Sequence, residues 1–452
     1  VVFSFFLFLL FLGIFSYVIL KIPFFKRSNL RTSVLLGIYY IKVLAGVGIT
    51  IIYTFYYKDR NTADIYKYFD DAKIICSALK ENPIIYIELV FSLNEDNPEQ
   101  IKYTSKMRNW SSLDAQWLNY TKTKDTNFFN SNRIITRINA ILIPFSNGNI
   151  FIHVLFFSFL SFIGLFYLYK QISEYCGGNN LLILIIVFLL PSTLLWCSGT
   201  LKDTLVLSLL NILVYTLFKL KKEHLFIPHL LLILILIYFI IIIKYYVAIA
   251  LIPVLIGFSI RKIFNINPIK SFLIAIIFLS VCSFILLFSS SYNIWQILID
   301  KREEALKTAI WADAHHQMFY NTVSLKFDEL ILNIPTSIFN AVFRPFIWEA
   351  GNSLFIILAG LENLFILMFL LINFVRNRFQ NFNKDLLFFY LIFSISAAFI
   401  IGFTTPVTGG LVRYKTVFII YLLLSFFNCK TRVYLFHKRF LFNFEKTRIF
   451  KT

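Results

Sequence analysis

Beyond the second long apolar run of the chain comes the stretch Asp59-Arg60-Asn61-Thr62-Ala63-Asp64-Ile65-Tyr66-Lys67-Tyr68-Phe69-Asp70-Asp71-Ala72. If it is helical, Asp64, Tyr68 and Asp71 stand at i, i+4 and i+7 and share one face. A carboxylate held beside tyrosine hydroxyls at a membrane surface is suited to serve as a general base toward a hydroxyl group. Asp64 comes first, being nearest the apolar run. The same residues would also serve a solvated helix start, because Asp favours first turns.

A second group is Pro191-Ser192-Thr193-Leu194-Leu195-Trp196-Cys197-Ser198-Gly199-Thr200-Leu201-Lys202-Asp203. Ionisable groups at membrane depth are costly and usually face a polar cavity. The Ser198-Gly199-Thr200 turn is able to offer backbone N–H groups to an anion. A plain helix–turn–helix with a snorkelling Lys202 is the alternative. A third group is Arg344-Pro345-Phe346-Ile347-Trp348-Glu349, with Glu362 inside the apolar run that follows. A fourth is Gly409-Gly410-Leu411-Val412-Arg413-Tyr414-Lys415. Arginine's planar fork suits bidentate phosphate recognition, with lysine as a point charge beside it. Arg413 begins an apolar helix, so snorkelling stays open for it too. Asp313, His315 and His316 lie close together, but adjacent histidines point to different faces and no HExxH-like spacing surrounds them, so no metal site is expected. The chain has no Walker loop, GxGxxG or GxSxG elbow, which argues against ATP or dinucleotide chemistry.

The elements that must position these groups are apolar helices. Hydrophobic residues make up 58% of the chain and charged ones only 15%, against about 25% charged in soluble domains. The apolar residues gather in about eleven runs, each near the length needed to cross a bilayer. They lie near 1–21, 34–57, 150–169, 181–199, 203–220, 229–243, 245–260, 271–289, 354–375, 386–402 and 411–428. The pair 229–243 and 245–260 is separated only by Lys244 and its neighbouring tyrosines, which fits a tight hairpin or a broken helix. The expected fold is all-α and integral to the membrane, a single polytopic domain over residues 1–452.

The net charge of +19 sits mostly in short connections. Lys26, Arg27 and Arg31 fill the first, Lys219, Lys221 and Lys222 a later one. Arg261, Lys262 and Lys270, then Arg376, Arg378 and Lys384, and a basic tail from Lys430 complete the set. All fall on one side if the spans alternate, and the positive-inside rule makes that side cytoplasmic. This places the N-terminus outside and the C-terminus inside, and argues against a nucleic-acid partner. It leaves two large non-cytoplasmic loops, 58–149 and 290–353, expected to carry interfacial helices such as Ile84–Phe91 and Trp295–Ile299. Every candidate site then lies on the non-cytoplasmic face. The first run lacks a basic n-region and reads as a retained helix. Five scattered cysteines imply no disulfide framework or zinc site.

The Asp64-x3-Tyr68-x3-Ala72 pattern resembles the acidic motif of GT-C-type membrane glycosyltransferases. The Pro191…Lys202-Asp203 turn is similar to their proline-then-acidic turn, and Arg413-Tyr414 resembles the RY that opens their last helix. Dolichyl-phosphate-mannose protein mannosyltransferases and aminoarabinose transferases belong to this class. The Arg344–Glu349 run looks more like a feature of bacterial envelope-polysaccharide membrane proteins. As topology the resemblance covers most of the chain, with one extra span before the acidic loop.

The resemblance implies inverting transfer of a sugar from a polyprenyl-phosphate donor at the outer face of a bacterial inner membrane. The acceptor would be a glycan, a lipid or a protein. Carried over by position, Asp64 would take the acceptor's proton. Asp203 and Lys202 would shape the cavity near the donor phosphate, and Arg413, with Arg344 or Lys244, would neutralise that phosphate as it leaves. Tyr68, Asp71, Trp348, Glu349 and Tyr414 would line the substrate pocket. No cofactor is firmly implied, and a divalent cation is left open. A repeat-unit polymerase or ligase acting on a pyrophosphate-linked oligosaccharide is the nearest alternative, and would lean on Arg344 and Arg413 more than on Asp64. A transporter or flippase would need ionisable groups through the midplane, where the sequence offers only Glu362.

Overall fold

The computed structural model describes residues 2–28, 30–56, 60, 63–95, 97–110, 131–176, 181–220, 226–287, 294–311, 314, 318, 327–349, 351, 353–375 and 383–427. Among them the extended regular structure is helical throughout. That is the solution a lipid solvent imposes, since a helix satisfies its own backbone N–H and C=O groups. In chain order the first elements are α1 (Val2–Lys21), α2 (Pro23–Lys26), α3 (Thr32–Tyr56), α4 (Asp64–Glu81), α5 (Pro83–Phe91), α6 (Pro98–Thr104), α7 (Ser131–Ser146) and α8 (Ile150–Tyr175). Then come α9 (Leu181–Phe188), α10 (Pro191–Trp196), α11 (Lys202–Lys219), α12 (Phe226–Phe264), α13 (Pro268–Leu287) and α14 (Ile294–Trp311). The last are α15 (Phe327–Phe343), α16 (Leu354–Val375), α17 (Lys384–Thr404), α18 (Thr408–Tyr414) and α19 (Ile419–Ser425).

Among the described residues seven helices are long and apolar enough to cross a membrane: α1, α3, α8, α12, α13, α16 and α17. The chain is an all-α, multi-pass membrane protein. The remaining expected spans take other forms, for identifiable reasons. The 181–199 run divides into α9 and α10 because Pro191 lacks an N–H and opens a new helix. The 203–220 run becomes α11, which carries Lys202, Asp203 and Lys219 within its bounds. The 411–428 run is split by a 3₁₀ turn at Lys415–Val417. The runs 229–243 and 245–260 join as α12, broken where Lys244 leaves helical geometry at φ −149° and ψ 83°. At 1.5 Å per residue α12 would be about 58 Å long if straight, roughly twice the hydrocarbon thickness. Ile84–Phe91 and Trp295–Ile299 are helical, within α5 and α14. Asp313, His315 and His316 lie outside the described residues. Cys176 is disulfide-bonded, which the scattered spacing does not predict because distant cysteines carry no pairing signal in sequence. Cys76, Cys197 and Cys282 are not disulfide-bonded.

The helices divide into two compact units, one built from Val1–Lys170 and Leu194–Lys244, the other from Gln171–Thr193 and Tyr245–Val433. In the first unit, α4, α5 and α7 enclose an apolar cluster that includes Ile65, Phe69, Ile75, Leu89 and Trp110. Asn82 caps α5 by accepting from the Ile84 and Ile85 amides, with Pro83 at the first helical position. Small residues let the spanning helices approach closely. A Cβ on Gly46 of α3 would lie 2.5 Å from the Ser198 carbonyl oxygen, and one on Gly164 of α8 would lie 2.4 Å from Ser208 Cα of α11. Asn147 and Gly148 both adopt positive φ, at 49° and 70°, and turn α7 sharply into α8.

In the second unit, α15 and α17 pack face to face. Gly402 makes this contact possible, since any Cβ there would overlap the Ser337 carbonyl. All residues of α19 are buried, and the Tyr390 hydroxyl of α17 donates to Gln171 Oε1 at 3.1 Å. By contrast α13 exposes Leu273, Ile274, Ile277, Phe278 and Ile285, a surface left to lipid.

Candidate functional site

The first unit gathers five of the expected residues around the N-terminal ends of α4 and α11. The segment from Asp64 is helical, as its spacing required, and Asp64 opens α4. Its carboxylate is partly exposed, at 29%, and lies 3.7 Å from the Lys67 ammonium. Tyr68, one turn later on the same face, is buried. Its ring lies 5.4 Å from Lys202 Nζ. Lys202 in turn donates to Ser131 Oγ at 2.7 Å and Asn132 Oδ1 at 2.5 Å, at the start of α7. Asp203 is fully buried and ion-paired with Lys244, which is itself 5% exposed. Lys202 and Asp203, adjacent in sequence, therefore serve different partners. Lys244 is committed to a carboxylate.

The turn that delivers Lys202 and Asp203 is held by its carbonyls. Lys42 Nζ of α3 donates to the Cys197 carbonyl at 3.3 Å, and Ser158 Oγ of α8 to the Ser198 carbonyl at 2.8 Å. Thr204 Oγ1 donates to the Gly199 carbonyl at 2.7 Å. Three successive carbonyls are thus satisfied by side chains from three helices, as buried polar groups require. Gly199 leaves room for Ile49, whose Cγ2 would be 2.8 Å from any Cβ there. Lys42 is fully buried and is the one charge in its apolar run. That intramembrane charge is a signal the sequence carried.

Asp71 takes a different part from Asp64 and Tyr68. It is 3% exposed and accepts the backbone N–H groups of Arg108 at 3.1 Å and Asn109 at 2.9 Å. Burial raises its carboxyl above the usual value, and these two bonds oppose the rise. Asp71 ties α4 to the 107–110 turn. Beside it, Arg60 makes a two-pronged bond to Asp70 at 2.7 and 2.9 Å and stacks 3.7 Å over the Tyr66 ring. A second buried polar group lies at the α7–α8 corner. His153 bonds Asn139 Oδ1 through Nδ1 at 2.7 Å and Ser146 Oγ through Nε2 at 2.8 Å.

The second unit holds the other expected residues. Arg344 is ion-paired with Glu349, which also accepts the Phe346 amide at 2.9 Å, so the Arg344–Glu349 run closes on itself. Trp348 is 79% exposed and stacks on Phe346 with centroids 4.6 Å apart. Arg413 is half-buried in the last turn of α18, and the Tyr414 ring lies 6.1 Å from that of Tyr246. Glu362, expected inside a span, is buried in α16 and accepts the Ser192 amide at 2.8 Å and its hydroxyl at 2.6 Å. Lys415 reaches Asn363 Oδ1, and Asn363 Nδ2 donates to the Pro345 carbonyl at 2.8 Å. The sequence offered no spacing that would have joined these three.

Among the described residues no three His, Cys, Asp or Glu side chains cluster as a metal site would need. Chemically, the first unit sets a lysine ammonium beside a buried tyrosine whose helix opens, one turn earlier, on a partly exposed carboxylate. Such a carboxylate is able to take a proton, and such an ammonium to stabilise developing negative charge. No protein-family model, curated protein or solved structure matches the chain.

Proposed function

We propose that this protein is a GT-C-like membrane glycosyltransferase. It transfers a sugar, with inversion, from a polyprenyl-phosphate donor to an envelope glycan, lipid or protein at the outer face of a bacterial inner membrane. The N-terminus lies outside and the C-terminus in the cytoplasm, as the distribution of basic connections favours. The observation that supports the reading is the approach of Lys202 to the ring of Tyr68, one turn after Asp64 opens α4. Asp64 acts as the base for the acceptor hydroxyl. Lys202 faces the donor phosphate as its charge develops. The Asp203–Lys244 pair holds the wall of the site, its two charges already balanced.

The polymerase or ligase alternative rests on Arg344 as well as Arg413. The pairing of Arg344 with Glu349 weakens it, since that guanidinium already has a carboxylate. The experiment is to incubate the purified protein in lipid with a radiolabelled polyprenyl-phosphate sugar and envelope acceptors. Release of polyprenyl phosphate with labelled product supports the proposal. Turnover of a pyrophosphate-linked oligosaccharide alone would support the alternative.

A further inference from the structure

Within the second unit a cavity of about 860 Å³ opens among the second half of α12, α13, α14, α17 and the turn leading into α18. Its body is apolar, with Ile249, Ile252, Leu279, Leu298 and Phe399 in the wall. Three of the helices around it are long and apolar enough to cross a membrane. α13 leaves Leu273, Ile277 and Ile285 exposed on its surface, so hydrocarbon is its natural surrounding. The volume falls in the range of roughly 300–1,000 Å³ that small-molecule sites occupy. Protein interiors are close-packed and water avoids apolar cavities. The filler at hand in a bilayer is a lipid chain.

The polar groups of the cavity include a stripe on one face of α14. Lys301, Glu304 and Thr308 line it at i, i+3 and i+7. Lys301 and Glu304 form an ion pair with their side chains 46% and 43% exposed, so this rim offers one charge of each sign at the edge of an apolar space. A purely anionic head group would satisfy Lys301 and oppose Glu304. A zwitterion complements both. We propose that the cavity binds a zwitterionic phospholipid, with one acyl chain in the apolar body, the phosphate beside Lys301 and the ammonium beside Glu304. The proposal is independent of the glycosyl-transfer reading.

Trp295 lines the cavity and provides the reporter. The full chain is reconstituted in vesicles containing phosphatidylethanolamine or phosphatidylglycerol brominated on one acyl chain. The Trp295 contribution to fluorescence quenching is isolated by comparison with Trp295→Phe. The expected result is quenching of Trp295 at about threefold lower mole fraction of phosphatidylethanolamine, the size of one half-exposed ion pair. Glu304→Gln should remove the preference. Ala305→Phe, which extends from α14 into the cavity, should abolish Trp295 quenching by either lipid in a variant that still purifies as a folded protein. Equal quenching by the two lipids in the wild-type chain overturns the proposal, as does undiminished quenching in Ala305→Phe.

Discussion

Lys244, where α12 departs from helical geometry, is ion-paired with Asp203 in the first turn of α11, and both side chains are withdrawn from solvent. The carboxylate sits where the helix dipole favours negative charge. A buried pair gains little over an apolar replacement of the same shape, but removing one partner strands a charge at a cost of about 3–5 kcal/mol. Asp203→Asn or Lys244→Met should each lower the apparent melting temperature in detergent substantially. The double variant Asp203→Leu with Lys244→Met should recover most of the loss. Additive losses in the double variant would show that the pair is not the unit.

Lys42 reaches across from α3 to the Cys197 carbonyl. Lys42→Met leaves that buried carbonyl without its donor, a loss of about 1–3 kcal/mol. Since this turn leads into Lys202, transfer activity should fall as well. Lys42→Met stability equal to wild type in a thermal melt would show that Lys42 does not clamp this turn.

The ring of His153 has a fixed orientation because its neighbour does. Asn139 Nδ2 donates to the Ile135 carbonyl at 2.8 Å, which turns Asn139 Oδ1 toward the ring, so Nδ1 must carry the proton and Nε2 accept from Ser146. Nitrogen-15 spectra of the labelled histidine should show the Nδ1–H tautomer. Finding the proton on Nε2 would mean that the Asn139 amide is reversed.

Glu88 holds the 92–104 segment, accepting from Asn97 at 2.9 Å, Gln100 at 3.1 Å and Asn94 at 3.3 Å. The bonds from Asn97 and Gln100 lower its carboxyl below the usual glutamate value. A group with a depressed folded pKa contributes stability that is complete above its unfolded value and is lost as pH falls through the folded one. Glu88→Gln should therefore melt below wild type at neutral pH, and the two curves should converge in acid. A gap that persists at low pH would contradict the linkage.

How much of this was legible beforehand follows from what hydropathy can sense. α1 and α13 stand out because their apolar runs are unbroken, and α3 because Lys42 is the one charge in its run. α11 and α19 look the same to a hydropathy window, yet α11 carries Lys202, Asp203 and Lys219 within its bounds and α19 is only seven residues long; a window that averages over a run does not register such breaks. Lys202 and Asp203 were visible as charges beside a Pro/Gly turn. Lys244 also stood out, but as a phosphate ligand; its pairing with Asp203, and that of Lys202 with Ser131 and Asn132, is decided by packing between distant segments. Asp71 shares the helical spacing of Asp64 and Tyr68, and only the fold shows its carboxylate turned to the 107–110 turn. Lys42 and His153 were detectable as ionisable residues in apolar runs, though nothing in their spacing names Cys197 or Asn139 as the partner.

In the proposed reaction Asp64 removes the acceptor's proton. The decisive measurement is the rate of sugar transfer from a polyprenyl-phosphate donor by purified wild-type and Asp64→Asn protein, each shown to be folded by an equal melting temperature. A general base at this position implies a loss on the order of 10²–10⁴-fold in the variant. Transfer by Asp64→Asn at the wild-type rate would contradict it.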